Sequence, residues 1–171
     1  RDDRPDHLVL PDRLYGREGA RHDLQDAIAR LRSGAVSAIA VVGGAGVGKT
    51  ALVRELHRML ADTDASFAEG KLDPLQRGAP YAPILAVLRA LIQRTLAGDD
   101  LAVQAWGQRL RDALAGDHAR LIDLVPEAAA LIGPSGQAEV LQLAEARARL
   151  HVLLRRSLQV FHAPDRPLVV F

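Results

Sequence analysis

The sequence predicts an α/β fold that has a parallel sheet and a helical insertion after the second strand. Three short runs, at 35–42, 65–73 and 168–171, are typical of strands, and the segments between them carry apolar residues at helical spacing. Strands that are separated by long helical segments must be joined by crossovers, so their pairing is expected to be parallel. Of the 171 residues, 49% are hydrophobic, which is enough to bury the core of one domain.

The N-terminal part of the chain is predicted to contain a linker, a helix and a strand. Residues 1–16 are rich in Pro, Asp and Arg, which favours a linker that leads into a domain over 17–171. Apolar residues recur at helical spacing from 17 to 33, and Gly34 follows where a helix would end. The next run, AVSAIAVV (35–42), is apolar and partly β-branched, and it is predicted to be a central strand.

The remaining elements follow from the same periodicities. ASFAEGKLD (65–73) is predicted to be the second strand, and PEAAALIGPSG (126–136) is predicted to be a turn-rich bridge. LVVF (168–171) begins a further strand, and the chain ends inside it, so we expect a fragment of a longer polypeptide that is truncated at this strand. The predicted helices cover 50–62, 84–96, 100–114, 118–124 and 138–162.

The composition excludes several classes of protein. The 22 basic and 21 acidic residues leave a net charge of +1, which is too small to drive nonspecific binding to nucleic acid. There is no cysteine, so disulfides and thiolate zinc sites are excluded, and a reducing, cytoplasmic setting is expected. No apolar run approaches the roughly 20 residues of a membrane span. We therefore expect a soluble protein without a membrane segment.

The stretch VVGGAGVGKTALV (41–53) matches the P-loop pattern of glycine, four residues, glycine, lysine and threonine. Its glycines permit a tight loop whose backbone N–H groups hold a phosphate chain, and the helix that follows attracts an anion to its N-terminus. Lys49 supplies a compact charge to the β and γ phosphates and is the predicted catalytic residue, whereas Thr50 is the predicted Mg²⁺ ligand. The predicted nucleotide-binding residues of this loop are Gly43, Gly44, Ala45, Gly46, Val47, Gly48, Lys49, Thr50 and Ala51.

Composition supports this interpretation of the loop. Only two of the 22 basic residues are lysines, Lys49 and Lys71, so lysine stands at position 49 against a strong bias toward arginine. A planar guanidinium would crowd the loop where a slim ammonium fits. The alternative is a glycine-rich turn without a ligand, but the strand predicted before it and the helix predicted after it favour nucleotide binding.

Hydrolysis of the nucleotide needs more than this loop. An acidic residue at the end of a neighbouring strand must help to hold Mg²⁺, and PLVVF (167–171) is the best candidate for that strand. We expect the acid to lie beyond Phe171. The full-length protein is therefore predicted to be an ATPase, and the isolated chain is predicted to be inactive.

Five segments of the chain are similar to one family of ATPases. LYGREGARHDL (14–24) is similar to the opening motif of that family, GGAGVGKTALVREL (43–56) to its P-loop, and FAEGKLDPLQRGAPYAPI (67–84) to a more specific segment after the second strand. LIDLVPEAAALIGP (121–134) and FHAPDRPLVVF (161–171) also match. The chain thus resembles, over nearly its whole length, the AAA-related, STAND-type ATPase module of bacterial signalling proteins that join a serine/threonine kinase, this ATPase and a sensor histidine kinase.

The resemblance implies ATP with Mg²⁺ as cofactors, and it places Tyr15, Gly16 and Arg17 near the adenine or ribose. The alternative is that Tyr15 and Gly16 only shape the turn into the first helix. Lys71 and Asp73 either couple the second strand to the phosphates or form a solvated salt bridge. The resemblance also implies that the Walker B acids, the sensor residues and any arginine finger lie beyond the end of the chain.

Other residue groups are interpreted as structural. The six histidines show no metal-ligand spacing, and Trp106 is predicted to pack between helices. At about 100° per residue, Arg149 and Arg156 share one helix face, whereas Arg147 and Arg155 point elsewhere. These arginines therefore form no single stripe, and a solvated helix surface is favoured over a nucleic-acid interface.

Three functional hypotheses stay open from the sequence. The first is an ATPase-type switch whose bound nucleotide sets a conformation that neighbouring kinase or sensor domains of the same polypeptide respond to. The second is a scaffold that binds nucleotide without hydrolysing it, and the third is the ATPase part of a helix-turn-helix transcription regulator. The segment GKLDPLQRGAPY (70–81) favours the kinase-linked architecture through the resemblance. Self-association is open as a further partnership, and nucleic acid is not an expected partner of this domain.

Overall fold

The computed structural model describes residues 16–33, 37–61, 63, 65–70, 81–163 and 166–171. The chain divides into two compact units, one over Arg1–Asp62 and one over Thr63–Phe171. Each unit is built around helices, and no helix in the described ranges combines the length and the apolar character that crossing a membrane requires.

The first unit contains two packed helices, α1 (Glu18–Arg32) and α2 (Lys49–Leu60). The amphipathic pattern of each helix determines the face that packs, because the buried side chains lie at helical spacing. These buried residues are Leu24, Ala27, Ile28, Leu52 and Leu60. Glu55 of α2 also pairs with Arg21 of α1 at 3.3 Å and with Arg58 at 2.9 Å. Both predicted helices of this region are confirmed within one or two residues of their bounds.

The prediction of a central strand over 35–42 is wrong for the residues that the structure describes. Residues 37–42 form no strand, and Val42 is 90% exposed, whereas a central strand would be buried. A β-branched run becomes a strand only where a neighbouring strand satisfies its backbone N–H and C=O groups. The described residues of the first unit contain α1 and α2 but no strand that could pair with this run. Its local propensity alone therefore does not produce a ladder.

The second unit combines a small parallel sheet with five helices in its described ranges. Strand β1 (Ser66–Ala68) pairs in parallel with β2 (Leu168–Val170), and Ser66 lies opposite Leu168. The parallel pairing that the crossovers predicted is therefore confirmed for this pair of strands. The helices are α3 (Ala82–Leu96), α4 (Asp100–Leu114), α5 (His118–Leu124), α6 (Ala128–Ile132) and α7 (Leu143–Val160).

Helix α4 is central to the second unit and contacts α3, α6 and α7. Its residues Leu110 and Leu114 are fully buried in an apolar cluster that also receives side chains from α3, α5, α6 and α7. Gly107 allows α6 to approach closely, because a Cβ at this position would lie only 2.2 Å from the carbonyl oxygen of Leu131. The close packing of α6 against α4 thus requires glycine at position 107.

Most helix predictions in the second unit are confirmed, but one helix was not predicted and another begins later than predicted. The bridge predicted at 126–136 contains α6, because Ala128, Leu131 and Ile132 bury a short apolar face in the core. The last helix begins at Leu143 and not at 138, since the residues from 133 to 142 form no helix. Of the second strand predicted at 65–73, the structure has Ser66–Ala68, and residues 71–73 lie outside the described ranges.

Glu139, in the segment before α7, is held by two arginines. Arg120 donates a hydrogen bond to the carbonyl oxygen of Glu139 at 2.9 Å, and Arg149 donates to the Glu139 carboxylate at 3.1 Å. The hydrogen bond with Glu139 also raises the pKa of Arg149 above its ordinary value. Gln142 then has extended backbone angles as the N-cap of α7. The contact with Arg120 ties the segment before α7 to α5, outside the last helix.

Candidate functional site

The candidate site is the glycine-rich loop of residues 43–48, which leads directly into α2. Gly46 and Gly48 have φ angles of +77° and +88°, in the left-handed region that favours glycine over all other residues. Gly48 is the N-cap of α2, and its carbonyl oxygen accepts the first hydrogen bond of the helix from the N–H of Leu52 at 3.1 Å. The two glycines at 46 and 48 are thus required by the shape of the turn.

Lys49 ties the two ends of this loop together. As the first residue of α2, it extends its side chain back over the loop, where Nζ donates hydrogen bonds to the carbonyl oxygens of Gly43 at 2.8 Å and Gly44 at 2.7 Å. A positive charge therefore lies against the start of the loop. No acidic residue occupies the first turn of α2, so the partial positive charge of the helix N-terminus adds to that of the ammonium group.

The other predicted loop residues lie in the same turn. Gly44, Ala45 and Thr50 are exposed, and the side chain of Thr50 stands on the first turn of α2 beside Lys49. Gly43 is constrained by its neighbour, since a Cβ at this position would lie 2.8 Å from a methyl carbon of Val47. The contiguous motif therefore occupies one compact structural element.

The opening motif is only partly described. Arg17 donates a hydrogen bond to the carbonyl oxygen of Val47, which brings a guanidinium group against the glycine loop. Gly16 precedes it with a φ of +69°, consistent with a tight turn into α1. Tyr15 lies outside the described residues, as do Lys71 and Asp73.

The ion pairs of Glu55 with Arg21 and Arg58 were not predicted from the sequence. Arg21 lies one helical turn after Arg17 on α1, and its pairing with Glu55 at 3.3 Å joins α1 to α2. Glu55 and Arg58 stand at the spacing of helix neighbours, so that pair was accessible to sequence reasoning. The pair between Arg21 and Glu55 was not, because 34 positions separate its members.

The residues that the sequence assigned to structural roles lie mostly in the second unit. Trp106 stacks on Phe161 with ring centroids 5.4 Å apart, as its predicted packing role requires. Arg149 takes part in the ion pair with Glu139. Within the described ranges, no group of three histidine, aspartate or glutamate side chains could hold a metal ion.

A glycine-rich loop that leads into a helix, with a lysine and a threonine after its last glycine, is the sequence pattern of P-loop nucleotide-binding sites, although residues 37–42 before the loop form no strand. The chain belongs to the AAA ATPase domain family, whose sequence model matches residues 13–171. The match therefore includes the loop, α1 to α7 and the two described strands. It confirms the expected relation to AAA ATPases.

One relative is a signalling protein. The chain is 26% identical over 162 residues to hybrid signal transduction histidine kinase G of Dictyostelium discoideum. The aligned region is 95% of this chain and 5% of the relative, so the chain spans a small part of that protein's length. No solved structure matches the chain.

Proposed function

We propose that this chain is an ATP- and Mg²⁺-binding ATPase module that acts as a nucleotide-dependent switch in a signal-transduction protein. Two findings support the proposal: the membership in the AAA ATPase domain family, and the similarity to a hybrid histidine kinase. We further propose the STAND type, with kinase or sensor domains of the same polypeptide as the partners that respond to the switch. That finer assignment rests on the segment at 70–81.

The observation that carries the proposal is the position of the Lys49 ammonium group. It lies at hydrogen-bond distance from two neutral carbonyl oxygens, those of Gly43 and Gly44, at the mouth of the loop. Charged phosphate oxygens make stronger hydrogen bonds with an ammonium than neutral carbonyls do. Binding of ATP would therefore replace two weaker acceptors by stronger ones, and the same side chain would then hold the β and γ phosphates.

Backbone and side-chain groups around Lys49 complete the proposed site. The N–H groups of the loop and of the first turn of α2 point toward the helix N-terminus, where they stabilise an anion. The exposed hydroxyl of Thr50 is the proposed Mg²⁺ ligand. We also propose that Gly16 and Arg17 border the nucleotide, since Arg17 already contacts the loop at Val47. Tyr15 is proposed as a third residue beside the adenine or ribose.

Calorimetric titration of the chain with ATP and Mg²⁺ tests the proposal. We expect saturable binding by the wild-type chain and a loss of about hundredfold in affinity for Lys49→Ala, because two charge-assisted hydrogen bonds disappear. Arg54→Ala is the matched control. It removes one positive charge from an exposed position of α2 outside the loop, and it should bind ATP as tightly as wild type.

The outcomes separate the proposed roles. Absence of ATP binding by the folded wild-type chain, or equal binding by Lys49→Ala, would refute the site. Steady-state hydrolysis by a polypeptide extended past Phe171 that is lost in Lys49→Ala would support the ATPase switch. Tight binding by that longer polypeptide without hydrolysis would instead support the nucleotide-binding scaffold. Hydrogen exchange that differs between the ATP-bound and ADP-bound chains would test the switching itself.

A further inference from the structure

The second unit contains a cavity of about 310 Å³ that none of the functional assignments above uses. It lies between the end of α3, the N-terminal half of α4 and the beginnings of β1 and β2. The two strands are parallel, so the cavity is at the amino edge of the sheet, whereas α/β folds bind nucleotides beyond the carboxyl ends of their strands. Its described lining residues belong to the second unit alone.

The described lining of this cavity is positively charged. Arg94 at the end of α3 and Arg166 before β2 both line it, and its described lining contains no aspartate or glutamate. Among the described residues, neither arginine has a carboxylate within ion-pair distance. The carboxylate of Asp99 caps α4 instead, since it accepts a hydrogen bond from the N–H of Ala102 at 2.8 Å. Two exposed guanidinium groups are therefore available to an anion.

An aromatic surface lies beside these charges. Trp106 is stacked on Phe161 at an angle of 16° between the rings, and the guanidinium carbon of Arg166 lies 5.9 Å from the centre of the Trp106 ring. A guanidinium over a ring is attracted through its flat face, and the N–H groups in its plane stay available as donors. Arg166 can therefore remain against Trp106 and still bind a carboxylate.

We propose that this cavity binds a small organic carboxylate that carries a compact apolar group. Arg94 and Arg166 hold the carboxylate, and the apolar group packs against Leu91, Trp106 and Phe161, which line the same cavity. The volume is at the lower end of the range of about 300–1,000 Å³ that is typical of small-molecule sites. One compact ligand fits, and a nucleotide is not the expected occupant.

The tryptophan provides a direct assay, because Trp106 is the only tryptophan in the chain. The probe is cyclohexanecarboxylate, which does not absorb at the excitation wavelength, and the readout is the emission of Trp106 during titration. We expect a saturable change in emission for the wild-type chain. Arg94→Gln and Arg166→Gln should each weaken binding about tenfold, since each removes one charged partner of the carboxylate. Calorimetry gives the same affinities without relying on Trp106.

Two controls distinguish this site from general effects. Arg155→Gln removes a charge from an exposed position of α7 outside the cavity lining, and it should leave the affinity unchanged. Lys49→Ala should also leave it unchanged, so that this test and the ATP test fail or succeed separately. Circular dichroism verifies that each variant is folded.

Three results would overturn the proposal. The first is the absence of saturable binding to the folded wild-type chain. The second is equal affinity for the uncharged cyclohexylmethanol, which would show that the arginines do not recognise the ligand. The third is equal affinity for acetate, which would show that the apolar wall takes no part.

Discussion

Replacement of Gly107 by alanine is expected to destabilise the second unit, although alanine is the better helix former. Gly107 is buried in α4, and a Cβ added there would lie 2.2 Å from the carbonyl oxygen of Leu131 in α6. Real Cβ atoms essentially never approach closer than 3.0 Å, so α4 and α6 would have to move apart. The obstacle is backbone, which cannot rotate away as a flexible side chain could.

The size of the effect follows from two opposing contributions. Alanine in place of glycine favours a helix by about 1 kcal/mol. Overpacking of a well-packed core typically costs about 1–3 kcal/mol. The upper part of that range applies here, because the ion pair between Arg89 and Glu127, at 3.0 Å, also holds the start of α6 to α3. We therefore expect Gly107→Ala to lower the free energy of unfolding by about 1–2 kcal/mol.

Urea unfolding followed by the emission of Trp106 measures this change, because Trp106 is the neighbour of Gly107 in the second unit. Gly136→Ala is the matched control, since a Cβ at that position meets no atom within 4 Å. That control should be as stable as wild type or up to about 1 kcal/mol more stable. A Gly107→Ala variant with an unfolding midpoint equal to that of wild type would refute the argument from close approach.

Two further predictions concern helix termini. Asp99→Ala should lower the free energy of unfolding by about 1 kcal/mol, because it removes the side-chain cap on the N–H of Ala102. Asp99→Asn should retain most of the stability. Urea unfolding followed by the emission of Trp106 tests both variants, and equal losses of stability would contradict the capping role. A backbone hydrogen bond at Glu127, and after it the Arg89 guanidinium, hold the pKa of that carboxyl below its ordinary value, against the raising effect of burial. Its stabilising effect is present above the unfolded-state pKa and is lost as the pH falls through the folded-state pKa, so Glu127→Gln should be less stable than wild type at neutral pH but equal to it in acid. Unfolding midpoints measured across pH test this, and a difference that persists in acid would contradict it.

The helices were largely predictable because their information is local. Apolar residues at helical spacing located α1 to α5 within about two residues, since each helix satisfies its own backbone groups. The strands were less predictable, because a strand depends on a partner that can lie far along the chain. The runs at 35–42 and 168–171 have similar composition, but the described residues 37–42 form no strand, whereas 168–170 pair with β1 about 100 residues earlier.

The candidate site was also predictable from the sequence only where its residues are close along the chain. Gly43 to Thr50 are contiguous, so their types and spacing predicted a tight turn before a helix, and the structure has that turn. Whether ATP and Mg²⁺ bind there stays a prediction. The contact of Arg17 with Val47, across 30 positions, was not predicted from the sequence.

The sequence by itself determined the helical segments, the glycine turn that only small residues permit, and the lysine that follows it, since each depends on neighbours within a few positions. The tertiary structure decided which apolar runs became strands, how closely α6 approaches Gly107, and that Arg94, Trp106 and Arg166 surround one cavity. The physical reason is that backbone pairing and packing are satisfied by whichever groups folding brings together, and a local pattern does not specify those groups.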